Sequence, residues 1–182
     1  MNKNQRITIH LPSKDRPTEV ALLLQSLRTQ THKEWDLILL DDSSGTPLFQ
    51  HYFIIRMLDQ LREENHRIKL LRNDHSYKVC KARNKIIDND DYGNPFVARL
   101  DDDTILEPDV LERLLKGINA GFDMVSGLIP NFGEVVPKRH TRNIKPIMSK
   151  IELDNTGKPI YIGDDCGSVS YTHLTLPTTP YV

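Results

Sequence analysis

The sequence predicts an α/β fold with a mostly parallel sheet flanked by helices. Three observations carry this. Short apolar runs rich in β-branched residues alternate strictly with segments of helical periodicity. Three of the runs end abruptly in polar loops, at Pro12 to Arg16, Asp41 to Gly45 and Asp101 to Thr104. The 182 residues, 38% hydrophobic and 27% charged, suffice for one domain with a sizeable core.

Taken in order, Arg6 to Leu11 reads as the first strand and Pro12 to Pro17 as a turn. Asp15 is expected to cap a helix that opens with Pro17 and Glu19. Val20, Leu23, Leu24 and Leu27 follow at i, i+3, i+4 and i+7, one apolar helix face. Trp35 to Leu40 is the second strand. A helix is expected from Leu48 to Glu64, with Phe49, Tyr52, Phe53 and Leu61 among its apolar residues. Ile68 to Leu71 is a short third strand, and Lys78 to Asp88 a helix carrying Val79, Ala82, Ile86 and Ile87. Phe96 to Leu100 is the fourth strand. Glu107-Pro108-Asp109 opens a helix with Leu111, Leu114, Leu115 and Ile118 on one face, and Met124 to Ile129 is a fifth strand. Beyond it, Lys138, Arg139, His140, Arg142 and Lys145 form a basic run in a segment without periodicity, read as a solvated loop with a phosphate-meeting flap as the alternative. Ile151 to Leu153 and Pro159 to Ile162 read as a hairpin around Asn155-Thr156-Gly157-Lys158.

Composition excludes several classes. A formal net charge of −1 gives no reason to expect nucleic-acid binding. Two cysteines, Cys80 and Cys166, in no metal-ligand spacing suit a reducing compartment. With neither an apolar leader nor an apolar run of spanning length, the chain reads as cytoplasmic, or peripheral at a membrane surface at most.

The chemistry gathers at Asp101-Asp102-Asp103. Three adjacent carboxylates repel one another, and a cation relieves the repulsion. On an extended chain Asp101 and Asp103 share a side, so they can present oxygens to one Mg²⁺ or Mn²⁺ with Asp102 turned away. The alternative is a solvated acidic turn that caps the following helix.

Four motifs in order then resemble family 2 glycosyltransferases. They are the opening Ile7 to Pro17; Leu27 to Thr31 with Trp35 to Ser44; Lys81-Ala82-Arg83-Asn84; and Leu100-Asp101-Asp102-Asp103-Thr104 followed by Glu107-Pro108-Asp109 and Leu111. The resemblance runs from about Arg6 to Leu115 and implies a GT-A fold, Rossmann-like in its sheet. It also implies a nucleotide-sugar donor, a divalent metal (Mn²⁺ or Mg²⁺) and a glycan, lipid or protein acceptor. Carried over by position, Pro12, Ser13 and Asp15 would line the base and ribose pocket. Asp42, with Asp41, would hydrogen-bond the base, and Arg83 would sit by base or phosphate. Asp101 and Asp102 belong to the donor site, Asp101 holding the ribose or the metal's water shell, and Asp103 would ligate the metal. A UDP-sugar is the expected donor, since the ring N–H of uracil suits an acceptor-only carboxylate. Inverting transfer is the expected outcome.

The sequence departs from the family at Lys14, where Asn is frequent, and at Lys85-Ile86, where x-Gly often follows the Ala-Arg-Asn helix start. No motif for the general base appears before Ser168. Asp165, in Gly163-Asp164-Asp165-Cys166-Gly167, is the one weak candidate. Residues 1–168 are therefore expected to be the donor-binding portion of a longer catalytic domain, truncated at the C-terminus. Residues 169–182 resemble the product of one reading frame of a sequencing adapter, and Thr172, His173, Thr175 and Thr178 are given no functional weight. Two other functions compete: a nucleotide-binding module without turnover, and a phosphatase of the haloacid dehalogenase type. The latter wants its Asp pair after the first strand and Thr or Val where Ile105 stands.

Overall fold

Strand β1, Ile7–Ser13, and strand β2, Trp35–Asp41, are buried along almost their whole length. Such continuous apolar runs are what a sheet covered on both faces requires. The structure is a computed structural model, and it describes residues 5–126 together with strand segments 147–149, 152–153, 159–160 and 173–175. The basic run at 138–145 and Asp165 lie outside the described residues.

Beyond β1 and β2 come β3 (Ile68–Arg72), β4 (Phe96–Arg99) and β5 (Met124–Ser126). The helices are α1 (Pro17–Arg28), α2 (Tyr52–Glu63), α3 (Lys78–Asp88) and α4 (Val110–Asn119). Strands β3, β2, β1 and β4 lie side by side in that order, all parallel. The expected mostly parallel α/β architecture is thus present. The fifth strand departs from it: β5 runs antiparallel to β6 (Ile147–Ser149) and β9 (His173–Thr175), and β9 lies antiparallel between β4 and β5. The tail set aside in the sequence thus contributes one backbone strand to this sheet. The expected hairpin is present as β7 (Glu152–Leu153) and β8 (Pro159–Ile160).

The period of two along β2 divides the core. Leu37 and Leu39 face the large cluster that includes Val20, Leu23, Leu24 and Leu27 of α1, Ile54, Leu58 and Leu61 of α2, and Leu111, Leu114 and Leu115 of α4. Ile38 and Leu40 face the other way and pack on Ala82 and Ile86 of α3. Three helices therefore cover one face of the sheet, and α3 covers the other.

Three local expectations are corrected. The segment expected as one helix from Leu48 is a 3₁₀ turn, Leu48–Gln50, followed by α2. Tyr52 and Phe53 point outward, because Ile54, Leu58 and Leu61 form the stripe that meets the core. On α3, Val79 and Ile87 are likewise exposed. Asp15 does not cap α1; Arg16 holds that position without a side-chain cap. Asp15 takes a left-handed backbone (φ 56°), and its carboxylate accepts from the Gly45 N–H at 2.7 Å. That contact joins the loops after β1 and β2.

No helix of the described residues is long and apolar enough to cross a membrane.

Candidate active site at the carboxyl ends of the strands

In the order β3-β2-β1-β4, chain direction of progress reverses at β1. Open α/β sheets bind ligands beyond the carboxyl ends of their strands, at such a switch point. Ser13 ends β1, Asp41 ends β2, Arg72 ends β3, and Asp101 follows two residues after β4. The register brings them level: Ser13 pairs with Asp41, and Asp41 with Arg72.

Asp41 is fully buried and committed to the fold. One carboxylate oxygen accepts from the Ser44 N–H at 2.8 Å, the other from the Leu48 N–H at 3.0 Å. Arg72 donates to the second oxygen as well. Both Asp41 oxygens thus accept from the protein, and the two backbone N–H contacts shape the loop after β2.

Asp42 is also buried. Its Oδ1 accepts from Asn73 Nδ2 at 2.5 Å and from the Tyr77 N–H at 2.9 Å; its Oδ2 accepts from Ser76 Oγ at 2.7 Å. Burial pushes this carboxyl up, but the hydrogen bonds from Tyr77, Asn73, Ser76 and the Lys78 backbone N–H outweigh it and hold Asp42 below its ordinary value. Asn73, Ser76 and Tyr77 went unrecognised in the sequence. They lie in the loop after β3, the one parallel strand whose carboxyl end was not counted among the polar loops. The rule that ligands gather beyond every strand end would have included it.

The acidic turn differs from the extended geometry expected for it. Strand β4 stops at Arg99, and the Thr104 N–H closes a turn on the Asp101 carbonyl at 3.2 Å. With the chain turned, alternation no longer holds. Asp102 is not directed away: it is buried and accepts from Ser13 Oγ at 2.6 Å. Asp101 pairs with Arg83 Nη2 at 2.6 Å, so α3 reaches across to the end of β4. Arg83 Nε is buried without a hydrogen-bond partner. Asp103 is about half exposed. Arg16 Nη1 lies 3.1 Å from Asp102 Oδ1 and 3.0 Å from Asp103 Oδ2, one donor bridging two carboxylates. Burial pushes the Asp102 carboxyl above its ordinary value, against the pull of Ser13 and Arg16. Arg16 was another residue the sequence reading passed over.

Further order comes from Gln30, which is fully buried. It donates to the Glu107 carbonyl at 2.7 Å and accepts from the Leu111 N–H at 3.1 Å, anchoring the segment between the acidic turn and α4. Of the expected pocket residues, Pro12 and Ser13 end β1, Asp15, Asp42 and Asp101 to Asp103 lie in the loops beyond the strand ends, and Arg83 reaches the same edge from α3 through Asp101.

The donor set suits a hard cation. All the candidate ligands are carboxylate oxygens, and two of them already converge on a single nitrogen cation. Among the described residues no three His, Cys, Asp or Glu side chains gather as a metal cage. A cation here would take two carboxylates and draw its other ligands from water or phosphate.

Comparison with known proteins agrees with this geometry. A family model described as Glycosyl transferase family 2 matches residues 8–171. The bifunctional glycosyltransferase pgtA of Dictyostelium discoideum is 31% identical over 94 residues, which are 51% of this chain and 12% of that protein. Among solved structures, residues 1–349 of S. aureus TarS superpose with a TM-score of 0.58 at 20% identity, covering 73% of this chain and 38% of TarS 1–349. The same TarS fragment is known in complex with UDP, with a TM-score of 0.58 and 19% identity over matching shares of both chains. The mannosyltransferase PcManGT from Pyrobaculum calidifontis, in complex with GDP-Man and Mn²⁺, matches with a TM-score of 0.58 at 12% identity, covering 71% of this chain and 37% of that one. At these identities the solved structures establish a shared fold. The chain spans well under half the length of each of these relatives.

Proposed function

Because this chain belongs to glycosyl transferase family 2, whose model covers residues 8–171, we propose that it binds a nucleotide-diphosphate sugar at the edge formed by Ser13, Asp42, Arg83 and Asp101 to Asp103. From there the sugar passes to an acceptor hydroxyl on a glycan, lipid or protein. The observation that carries the reading is the bridging of Asp102 and Asp103 by one cationic nitrogen, at 3.1 and 3.0 Å, at the switch point of the sheet. A site built this way is poised for a divalent ion, Mn²⁺ or Mg²⁺, held by Asp103 with a neighbouring carboxylate and completed by donor phosphates. When bound, that ion neutralises the charge that builds on the leaving diphosphate oxygen.

The chain's own residues supply the rest. Ser13 fixes the Asp102 carboxylate by its hydrogen bond. Arg83, with its unpartnered Nε and its grip on Asp101, is placed to meet a phosphate or ribose oxygen. Pro12 and Asp15 line the pocket beside Ser13, and Asp15 ties the base-side loops together through Gly45. Asp42 can accept a base N–H when Ser76 yields, because Ser76 is the one Asp42 partner with a rotatable hydroxyl. That favours a uracil base, whose ring N–H is a donor. Transfer is an inverting displacement: the acceptor oxygen attacks the anomeric carbon as the nucleoside diphosphate departs, and a base takes the hydroxyl proton. Residues 1–168 form the donor-binding portion in this reading.

Family membership removes the phosphatase alternative, which needs its Asp pair after the first strand rather than after β4. Calorimetry tests the proposal directly. UDP should bind with Mn²⁺ and lose most of its affinity in a chelator, with GDP binding more weakly. Equal UDP affinity with and without the metal would remove the metal from the reading. Preference for GDP would overturn the base assignment.

A further inference from the structure

We propose that Arg16 is a resident counter-ion of the metal site, standing between Asp102 and Asp103 until a divalent cation displaces it. The inference rests on the donor-site reading above and adds to it a residue that governs metal entry.

The geometry is specific. A single Arg16 nitrogen reaches one oxygen of each carboxylate, at 3.1 Å and 3.0 Å. The two carboxylates are held on different terms. Asp102 is buried and fixed by Ser13, whereas Asp103 is about half exposed, and among the described residues Arg16 is its one ion-pair partner. Arg16 itself is about half exposed and sits at the N-terminal boundary of α1, before Pro17. Its guanidinium can therefore swing into water without disturbing the core, while Asp102 cannot.

Like charges this close destabilise one another unless a cation lies between them. Arg16 supplies that cation in the protein alone. A metal ion needs the same oxygens at 2.0–2.6 Å, roughly the range for hard divalent ions, so guanidinium and metal cannot both hold them. Metal binding thus carries the cost of breaking a two-carboxylate ion pair. That cost weakens metal binding to the empty protein. Phosphate oxygens of a nucleoside diphosphate add ligands to the ion and offset that cost, so the metal is held firmly only together with the nucleotide.

The test is Mn²⁺ binding to the full chain, followed by the electron paramagnetic resonance signal of free Mn²⁺, first alone and then with UDP. Arg16→Ala should bind Mn²⁺ alone about three- to tenfold more tightly than the wild type, the size expected for a half-exposed ion pair. Mn²⁺ binding in the presence of UDP should tighten by the same factor, because Arg16 is displaced in both cases. Lys14→Ala removes an exposed positive charge from the same loop without vacating the bridge, and should leave Mn²⁺ affinity unchanged. Arg16→Gln serves as a second variant and should behave as Arg16→Ala does. Unchanged or weaker Mn²⁺ binding in both Arg16 variants, with UDP-dependent Mn²⁺ binding intact in the wild type, overturns the displacement and leaves the donor site standing. Equal tightening in Lys14→Ala overturns it in favour of a general charge effect. No Mn²⁺ binding to any variant, with UDP present, overturns both this inference and the metal reading beneath it.

Discussion

Replacing Asp42 by asparagine separates the two tasks this residue combines. Its Oδ1 faces two donors that cannot reverse, the Asn73 amide and the Tyr77 backbone N–H. Its Oδ2 faces Ser76 Oγ, a hydroxyl that accepts as readily as it donates. An asparagine can therefore keep its oxygen at the Oδ1 position and donate its amide to Ser76. All three contacts survive as neutral hydrogen bonds, about half as strong as those to a carboxylate, and the lower desolvation of an amide returns part of the loss. The net cost is about 1 kcal/mol. Alanine leaves the Asn73 amide and the Tyr77 N–H without their acceptor at a buried position, which costs about 3 kcal/mol. At roughly 2–4 °C per kcal/mol for a chain of this size, thermal unfolding should fall by about 3 °C for Asp42→Asn and about 9 °C for Asp42→Ala.

Binding should order the variants differently. In Asp42→Asn the group facing the base is an N–H, set against the N–H of uracil, so UDP affinity should fall at least about tenfold, near the cost of one opposed donor pair. Ser76→Ala removes the residue that occupies Oδ2. UDP affinity there should hold or rise. Calorimetry with UDP and Mn²⁺, beside thermal melts of the same samples, reads both quantities. If Asp42→Asn melts as low as Asp42→Ala, the hydrogen-bond reversal at Ser76 is wrong. If Asp42→Asn keeps wild-type UDP affinity, or Ser76→Ala loses it, Asp42 does not read the base.

Three further perturbations address the scaffold. Asp36→Asn, at the opposite pole of the sheet, weakens a fully buried carboxylate held by Arg6, Arg67 and Asn94; it should cost about 2–3 kcal/mol in denaturant melts and leave UDP affinity unchanged. Gly117→Ala places a Cβ 2.6 Å from a methyl of Val125, whose β-branched side chain has little room to rotate. Overpacking of about 1–3 kcal/mol should outweigh the roughly 1 kcal/mol gained in helix propensity, and adding Val125→Ala should remove the overpacking term in a double-mutant cycle. His66, stacked on Trp35 and bonded through Nδ1 to the Trp35 carbonyl, is held by burial below its ordinary value of 6.5. The unfolded chain takes up this proton at higher pH than the folded one, so stability should be full above about pH 6.5 and decline as pH falls toward the folded value. His66→Gln should flatten that part of the profile.

The scaffold was legible because it follows from periodicities. Val20, Leu23, Leu24 and Leu27 mark a helix face wherever that helix packs, and β1 to β4 stand out as short apolar runs. The parallel order of these strands follows from the helices between them. Position along the edge was legible too, since strand ends are visible in the chain. Side-chain direction was not. The alternation rule for Asp101 and Asp103 presumed an extended chain, and one hydrogen bond, from the Thr104 N–H to the Asp101 carbonyl, cancels it. The partners of the carboxylates were equally out of reach. Arg16 lies 86 positions from Asp102, and Asn73 lies 31 from Asp42, and no local pattern links residues so far apart.

These partners give a physical criterion for sorting the five aspartates at the strand ends: whether the group that satisfies each carboxylate can leave. Ser76 can turn away from Asp42, and Arg16 can swing from Asp102 and Asp103, so these three can exchange a protein contact for a ligand contact. Asp101 is paired with Arg83, a side chain that can follow a phosphate while staying near its partner. Asp41 differs in that backbone N–H groups, those of Ser44 and Leu48, hold both of its oxygens and can leave only if the loop unfolds, whereas the Tyr77 N–H holds Oδ1 of Asp42. Asp41→Asn should therefore behave as a stability variant. An amide cannot accept at both ends, so one backbone N–H loses its acceptor in a fully buried position, at about 2–3 kcal/mol, while UDP affinity measured well below the melting temperature stays within about twofold of the wild type. Loss of UDP binding in a folded Asp41→Asn protein, with its melting temperature unchanged, would put Asp41 back among the ligand-binding residues and break the criterion.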